Sequence, residues 1–278
     1  MRPAISAATV VAAVTGDPIA HSLSPLIHNA WIKGAGLDAV YVALPISAQG
    51  FSKLVRGFRG GVIRGLNVTA PFKGAALALA DRASPRAERA GAANLLVFEP
   101  AGVVLADNTD GEGLLAAFAE QAPGFDAKAG PVVVLGAGGA ARSAVAAFLD
   151  AGAPCVRLVN RSRARAAELA AAFGKQVMVV ERAAAALADA SAIINATPSA
   201  PDLPWAAAPR SAVVMDMVYR PLVTHVLADA RAAGLRTVDG LAMLIGQARP
   251  SFRALFGVEP PGNVNVRALA VAALGRHR

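Results

Sequence analysis

Apolar and polar positions alternate along the chain in short blocks, and the blocks predict strands and helices in turn. Apolar runs at Thr9–Thr15, Val40–Pro45, Val62–Asn67, Asn94–Phe98 and Val103–Leu105 read as strands. Between them, helical spacing appears at Pro25–Ala35, Gln49–Gly57, Pro71–Ala80 and Arg86–Ala90, and Pro25 and Pro71 each suit a first helical turn. Asp110–Gln121 reads as a further helix, and the Gly-, Pro- and Ala-rich stretch Ala122–Pro131 as the loop at a boundary. Beyond it come strands at Val132–Leu135, Val156–Asn160, Val177–Val180, Ala192–Asn195, Val213–Asp216 and Arg236–Val238. Helices are expected there at Ser162–Phe173 and Ala183–Ala190, the latter Ala-rich and a good helix former. The tail gives two more, Leu241–Leu255 and Val264–Leu274. The pattern predicts an α/β protein with two sheets and a cleft between them, where such folds usually bind ligands.

The most informative block is Pro131–Asn160, in which an apolar run, a glycine turn at Gly136–Ala141, an amphipathic stretch and a second apolar run follow one another. That order is the unit that binds dinucleotides. Gly136 allows the sharp turn, and Gly138 lets the backbone approach a pyrophosphate. Ala141 stands where a small residue permits close helix–strand packing. Gly136, Ala137, Gly138, Gly139 and Ala140 are therefore the expected phosphate cradle, backed by the N-terminal end of the helix dipole. At the end of the second strand an NAD site usually carries an acid for the ribose 2′-OH. Here Asn160 is followed by Arg161, Ser162, Arg163 and Arg165, with no carboxylate to repel a 2′-phosphate. Arginines in a first helical turn would otherwise oppose the dipole. The expected cofactor is NADP.

Composition narrows the picture. The chain has 278 residues, of which 55% are hydrophobic and 17% charged, enough for two globular domains. The net charge of +8 and pI of about 10.5 raise nucleic acid as a partner. The basic residues are mostly scattered arginines, however, and the pattern favours attraction of small anions instead. Cys155 is the single cysteine, so there is no intrachain disulfide, and its apolar setting predicts a buried, inert thiol. No run of about 18 uncharged apolar residues is present, so no membrane span is expected, and the compartment is taken as the cytoplasm. His21 and His28 stand seven apart but His21 precedes Pro25 in a loop, and no metal site is expected.

Four polar clusters interrupt the first half of the chain at His21–Pro25, Asn67–Lys73, Gly91–Asn94 and Asp107–Gly111. A fifth, Met243–Gln247, lies on the predicted tail helix. Functional groups gather at such positions. Together with VVLGAGGAAR, NRSRAR and DMVYRP, the stretches GDPIAHSLSP, GLNVTAPFK, GAAN, ADNTDGEGL and DGLAMLIGQA resemble the shikimate dehydrogenase family, in family order and over nearly the whole chain. The resemblance implies an N-terminal α/β substrate domain, residues 1–106, completed by C-terminal helices at 241–278. It implies a Rossmann-type NADP domain at 107–240 with a linking helix at 110–121. The implied reaction is the NADPH-dependent reduction of 3-dehydroshikimate to shikimate, on the route to aromatic amino acids.

On the same resemblance, Lys73 and Asp110 are the catalytic pair. A ketone that accepts hydride needs a proton, and a lysine beside a carboxylate can donate one. Ser22 and Ser24 are expected at the substrate carboxylate, although Ser24 would also suit as the cap of the helix starting at Pro25. Asn67, Thr69, Asn94 and Gln247 match further substrate contacts, and Tyr219 a residue near the carboxylate. Met217 and Gly240 fall on the cofactor side, where Met217 could equally be core. The implied partners are small molecules, with neither nucleic acid nor membrane, in a monomer or homodimer. Two positions depart from the family pattern, Leu95 where Thr is common and Ala200-Pro201 where Gly-Met is usual. A quinate/shikimate dehydrogenase of broader specificity and a non-catalytic NADP-binding regulator are the alternatives. An NAD-linked quinate enzyme would be expected to have an acid near Arg161, and a regulator to lack Lys73 or Asp110.

Overall fold

The computed structural model describes residues 5–199 and 201–276. The chain forms two compact units, one made of residues 1–109 with 247–278 and the other of residues 110–246.

The first unit is built on a six-stranded mixed sheet. Its strands are β1 (Val10–Gly16), β2 (Ala39–Pro45), β3 (Gly65–Val68), β4 (Arg82–Ala83), β5 (Leu95–Phe98) and β6 (Val104–Asp107), in the order β2-β1-β3-β5-β6-β4. Pairing is parallel across β2-β1-β3, and β5 is antiparallel to both β3 and β6. The central β3 is buried at all four positions, so it reads as an unbroken apolar stretch with one polar exception, Asn67. The helices are α1 (Ser24–Gly34), α2 (Ala48–Gly57), α3 (Lys73–Leu79) and α4 (Pro85–Ala90). Phe51 of α2 stacks on Phe72, just before α3, with ring centroids 4.7 Å apart. The tail contributes the C-terminal part of α10 (Gly240–Phe256) and all of α11 (Val266–Gly275).

Local chemistry explains where this differs from expectation. β3 starts three residues later than predicted, because Gly60 and Gly61 adopt φ of +85° and +82° and Val62 lies in the turn, 71% exposed. Pro71 lies in the turn before α3 instead of its first helical position. β4 has two residues, too short to leave a periodic signal. β6 runs on to Asp107, so the first unit holds the chain through Thr109.

The second unit contains α5 (Asp110–Gln121), β7 (Val132–Leu135), α6 (Gly139–Asp150), β8 (Val156–Val159), α7 (Arg163–Phe173) and β9 (Val177–Val179). It continues with α8 (Ala183–Leu187), β10 (Ala192–Asn195), β11 (Val213–Asp216), α9 (His225–Ala232), β12 (Arg236–Asp239) and the start of α10. The strand order is β12-β11-β10-β7-β8-β9, and every pairing is parallel. Counted from β7, that is the doubly wound order of dinucleotide-binding sheets, whose crevice lies at the carboxyl ends of the neighbouring β7 and β10. Gly111 lets α5 lie close on α6, since a Cβ there would stand 2.9 Å from the Cβ of Ala147. Cys155 lies just before β8 and is only half-buried, contrary to expectation, because the strand's buried run begins at Val156. Among the described residues, no helix is long and apolar enough to cross a membrane.

The buried face of α1 carries one ionisable side chain, His28. Its ring lies parallel to Tyr41 at 4.1 Å and also meets Trp31 and Phe252. Neither ring nitrogen has a hydrogen-bond partner among the described residues, and burial pushes its pKa down from 6.5 to about 3. The unfolded chain therefore takes up this proton at higher pH than the folded chain does. Stability is fully present above pH 6.5 and is lost as the pH falls towards 3. Between pH 6.5 and 5 the loss from this one group should be about 2 kcal/mol. Denaturation profiles at pH 7, 6 and 5 check it: His28→Phe should remove most of this slope, and an unchanged slope would assign the acid sensitivity to other groups.

Candidate active site

In the first unit, three of the expected substrate residues meet in one polar network inside an apolar core. Asn67 points inward from β3 and is 6% exposed. Its Oδ1 accepts from the Tyr41 hydroxyl at 2.7 Å, and its Nδ2 donates to Ser251 Oγ at 3.0 Å and to Asn94 O at 3.2 Å. Asn94, immediately before β5, accepts the Thr109 backbone N–H at 2.8 Å on Oδ1. Its Nδ2 reaches Thr109 Oγ1 at 2.9 Å and Gln247 Oε1 at 3.2 Å. Ser251 lies 3.2 Å from Thr109 Oγ1 and donates to the Gln247 carbonyl at 3.1 Å. The structure thus joins Asn67, Asn94 and Gln247, and adds Tyr41, Thr109 and Ser251. Ser251 stands four residues after Gln247 on α10, a spacing that shares one helix face and could have flagged it. Tyr41 had no such signal, being hidden in the apolar run of β2.

Thr69, Lys73, Ser22 and Ser24 lie on loops and helix starts of the same unit. Thr69 N donates to Thr15 O, and Phe72 N to Thr69 O, both at 3.0 Å. A Cβ on Gly16 would collide with Thr69 Cγ2, so glycine at the end of β1 is what lets this loop approach. Lys73 is the first residue of α3, half-buried, and its carbonyl accepts from Ala93 N at 2.9 Å. Ser24 is buried as the first residue of α1, whose cap is Leu23 with no side-chain bond. Ser24 is therefore not the cap; its N–H is accepted by Ser22 Oγ at 3.2 Å, which leaves the Ser22 hydroxyl hydrogen to donate.

Two acids stand close in sequence at 107 and 110, and their surroundings separate them. Arg86 donates to both oxygens of Asp107, at 2.6 and 2.5 Å, and Ser84 to one at 2.5 Å. Burial raises the Asp107 pKa, but these hydrogen bonds and the Arg86 charge outweigh it and hold the carboxyl below its usual value. Asp107 is thus committed to structure. Asp110 opens α5 in the second unit, is buried, and accepts from Ser143 Oγ at 3.4 Å.

The second unit carries a pocket of about 610 Å³ at the carboxyl ends of β7, β8 and β10. It is lined by Gly136, Ala137 and Gly138, by Asn160, Arg161 and Arg165, and by the Thr197–Ser199 loop among others. Gly136 has φ +115°, and a Cβ there would stand 3.1 Å from Thr197 Cγ2. A Cβ on Gly138 would meet no protein atom within 4 Å, so the space beside the start of α6 is open. Gly139 and Ala140 form the first turn of α6. A glycine cradle at a helix N-terminus with two guanidiniums alongside fits a dinucleotide that bears an extra phosphate. Ser162 caps α7 by accepting Arg165 N at 3.4 Å. Arg163, the middle arginine of the run, pairs instead with Glu181. Asp202 also lines the pocket, a carboxylate that the motif near Arg161 did not reveal. Pro201 lines it too, whereas Ala200, its partner in the departure from the family pattern, lies outside the described residues.

A buried carboxylate braces the pocket rim. Asp216, at the end of β11, accepts from Asn195 Nδ2 and Val218 N at 3.0 Å and from Thr224 Oγ1 at 2.7 Å. Asn195 in turn accepts Thr197 N and Oγ1, at 3.1 and 2.8 Å. Burial raises the Asp216 pKa against the opposing hydrogen bonds. Met217, Tyr219 and Gly240 do not line the pocket. Met217 packs on the core, Tyr219 is half-buried beyond β11, and a Cβ on Gly240 would stand 2.5 Å from Met217 O.

Known proteins match this chain along its length. The family description "Shikimate dehydrogenase substrate binding domain" matches residues 14–96, and "Shikimate / quinate 5-dehydrogenase" matches residues 118–205. A curated shikimate dehydrogenase (NADP(+)) of Caulobacter vibrioides is 56% identical, over 99% of both chains. The shikimate 5-dehydrogenase of Thermus thermophilus, solved with NADP(H) and shikimate, is 36% identical with a TM-score of 0.84, covering 95% of this chain and 99% of that one. Quinate dehydrogenase of Corynebacterium glutamicum, solved with NAD, is 29% identical with the same TM-score of 0.84, covering 96% and 99%. A 56% identity that spans both chains, on a substrate-type mixed sheet and a doubly wound sheet, shows that the chain belongs to the shikimate dehydrogenase family.

Proposed function

We propose that the protein catalyses the reversible, NADPH-dependent reduction of 3-dehydroshikimate to shikimate. The observation that carries this reading is the joining of Asn67, Asn94, Thr109 and Gln247 in one buried network beside the segment that begins α3 at Lys73. Such groups suit a polyhydroxylated ring, because a ligand lacking a hydroxyl leaves them unpaired.

When bound, NADPH supplies the hydride. Lys73 donates a proton to the oxygen that becomes the new hydroxyl, and Asp110 holds and recharges the ammonium. The Lys73 carbonyl is tied to Ala93 N, the next residue Asn94 holds Thr109 N, and Asp110 follows Thr109 by one peptide bond. Ser22 and Ser24 receive the substrate carboxylate with Tyr219 nearby, while Asn67, Thr69, Asn94 and Gln247 take the ring hydroxyls. On the cofactor side, Gly136, Ala137, Gly138, Gly139 and Ala140 hold the pyrophosphate. Asn160, Arg161, Ser162 and Arg165 surround the 2′-phosphate, and Met217 and Gly240 flank the nicotinamide. The first unit is then the substrate domain and the second the NADP domain. We place the enzyme in the cytoplasm, as a monomer or homodimer working on small molecules alone.

A four-way assay with shikimate and quinate, each with NADP and NAD, tests the assignment: shikimate with NADP should be oxidised best. Quinate turned over faster than shikimate would replace the substrate, and preference for NAD would replace the cofactor. Arg161→Ala should weaken NADP about tenfold or more while NAD changes little, as expected for one lost charge-assisted bond. Equal weakening of both would remove Arg161 from the 2′-phosphate.

Lys73→Ala should lower kcat by roughly two to four powers of ten, the effect of losing a general acid. Asp110→Asn should also be severe, and the double variant little worse than the worse single one, because residues acting as a unit are not additive. Steady-state kinetics of the three variants decide; fully multiplicative losses would mean that the two act independently.

A further inference from the structure

The hydrogen-bond inventory around Asn67 defines its chemistry more narrowly than its residue type does. A main-chain carbonyl only accepts, so the Asn67 atom 3.2 Å from Asn94 O is the amide nitrogen. The carboxamide oxygen therefore faces Tyr41, and the Tyr41 hydroxyl donates to it at 2.7 Å. Both amide hydrogens are engaged, one by Asn94 O and one by Ser251 Oγ. One lone pair of Oδ1 remains for a ligand.

Tyr41 is itself held on every side. Asn29 grips its backbone, donating to Tyr41 O at 2.7 Å and accepting Tyr41 N at 3.1 Å. Its ring is stacked on His28, with 5° between the planes. It is 1% exposed, so it cannot touch substrate, and burial raises its pKa well above the usual phenol value, which keeps the donor hydrogen in place.

We infer that Tyr41 is a positioning residue that holds Asn67 in the acceptor orientation set by the Asn94 carbonyl, so that Asn67 reads a ring hydroxyl that stays a hydroxyl throughout the reaction. The reacting oxygen becomes a carbonyl and would have nothing to donate to Oδ1; one of the two non-reacting hydroxyls does. The inference rests on the substrate role proposed above for Asn67 and adds the direction of its hydrogen bond and a residue that holds it in place.

The test is a double-mutant cycle on the full-length enzyme with shikimate and NADP. Tyr41→Phe keeps the ring and its stacking and deletes the donor. It should raise the KM for shikimate about tenfold, one hydrogen bond's worth, with kcat within about twofold and NADP affinity unchanged. Asn67→Ala should raise the same KM, and the double variant should match Asn67→Ala alone. Thermal melts run alongside separate a binding effect from a loss of fold. A second measurement uses the unaltered protein with shikimate analogues in which each non-reacting hydroxyl is replaced by fluorine, which accepts but cannot donate. One analogue should bind worse than shikimate, and Asn67→Ala should abolish that difference. An Asn67→Ala enzyme with normal KM would sink the substrate role of Asn67 itself. A raised KM in Asn67→Ala with a normal KM in Tyr41→Phe, or a fluorine penalty that persists without Asn67, would overturn the present inference alone.

Discussion

A carboxamide inside an apolar core must find its hydrogen bonds within the protein, and in this chain that requirement organises the substrate side. Asn94 holds the N–H of Thr109 with its oxygen while its nitrogen reaches Thr109 and Gln247. Three segments far apart in sequence are thereby fixed to one another: the start of β5, the segment after β6, and α10. Asn67 extends the same logic to β2 and to Ser251. Removing one member would leave others unpaired at a cost of about 1–3 kcal/mol each, so the network specifies loop positions.

The second unit solves a similar problem with a carboxyl group. Asp216 is 2% exposed and satisfied by three donors from three places, Asn195, Val218 and Thr224. One of those places carries Thr197 and Ser199 on the wall of the pocket, and another is the cap of α9. The pocket rim is thus fixed by one ionisable group behind it, while the glycine turn in front is made of backbone. Rigidity lies in the buried polar groups, and access in the glycines.

Much of this was legible in the amino-acid pattern because the elements carry strong local signals. The strands Val132–Leu135, Ala192–Asn195 and Val213–Asp216 and the helix Asp110–Gln121 have the expected bounds, since each apolar run is closed by a polar or glycine residue. β4 was missed because two residues carry no period, and the start of β3 because Val62 is apolar yet exposed. The polar clusters contain Asn67, Asn94 and Gln247, which the structure joins, yet Tyr41 and Ser251 were invisible. Their roles come from pairings across 26 and 184 residues, which no local window contains. Arg163 shows the converse: its spacing equals that of its neighbours, but Glu181, brought close only by folding, takes it away from the pocket.

The place of Gln247 and Ser251 in the chain has a consequence for how the protein is made. The bond between Asn94 and Gln247 spans 153 residues. At a synthesis rate of about 5–20 residues per second, Gln247 is added roughly 8–30 s after Asn94. For that interval the nascent first sheet holds Asn67, Asn94 and Thr109 without two of their partners, while the second unit is being synthesised. The discontinuous first unit is then finished last, by α10, the same helix whose start ends the second unit.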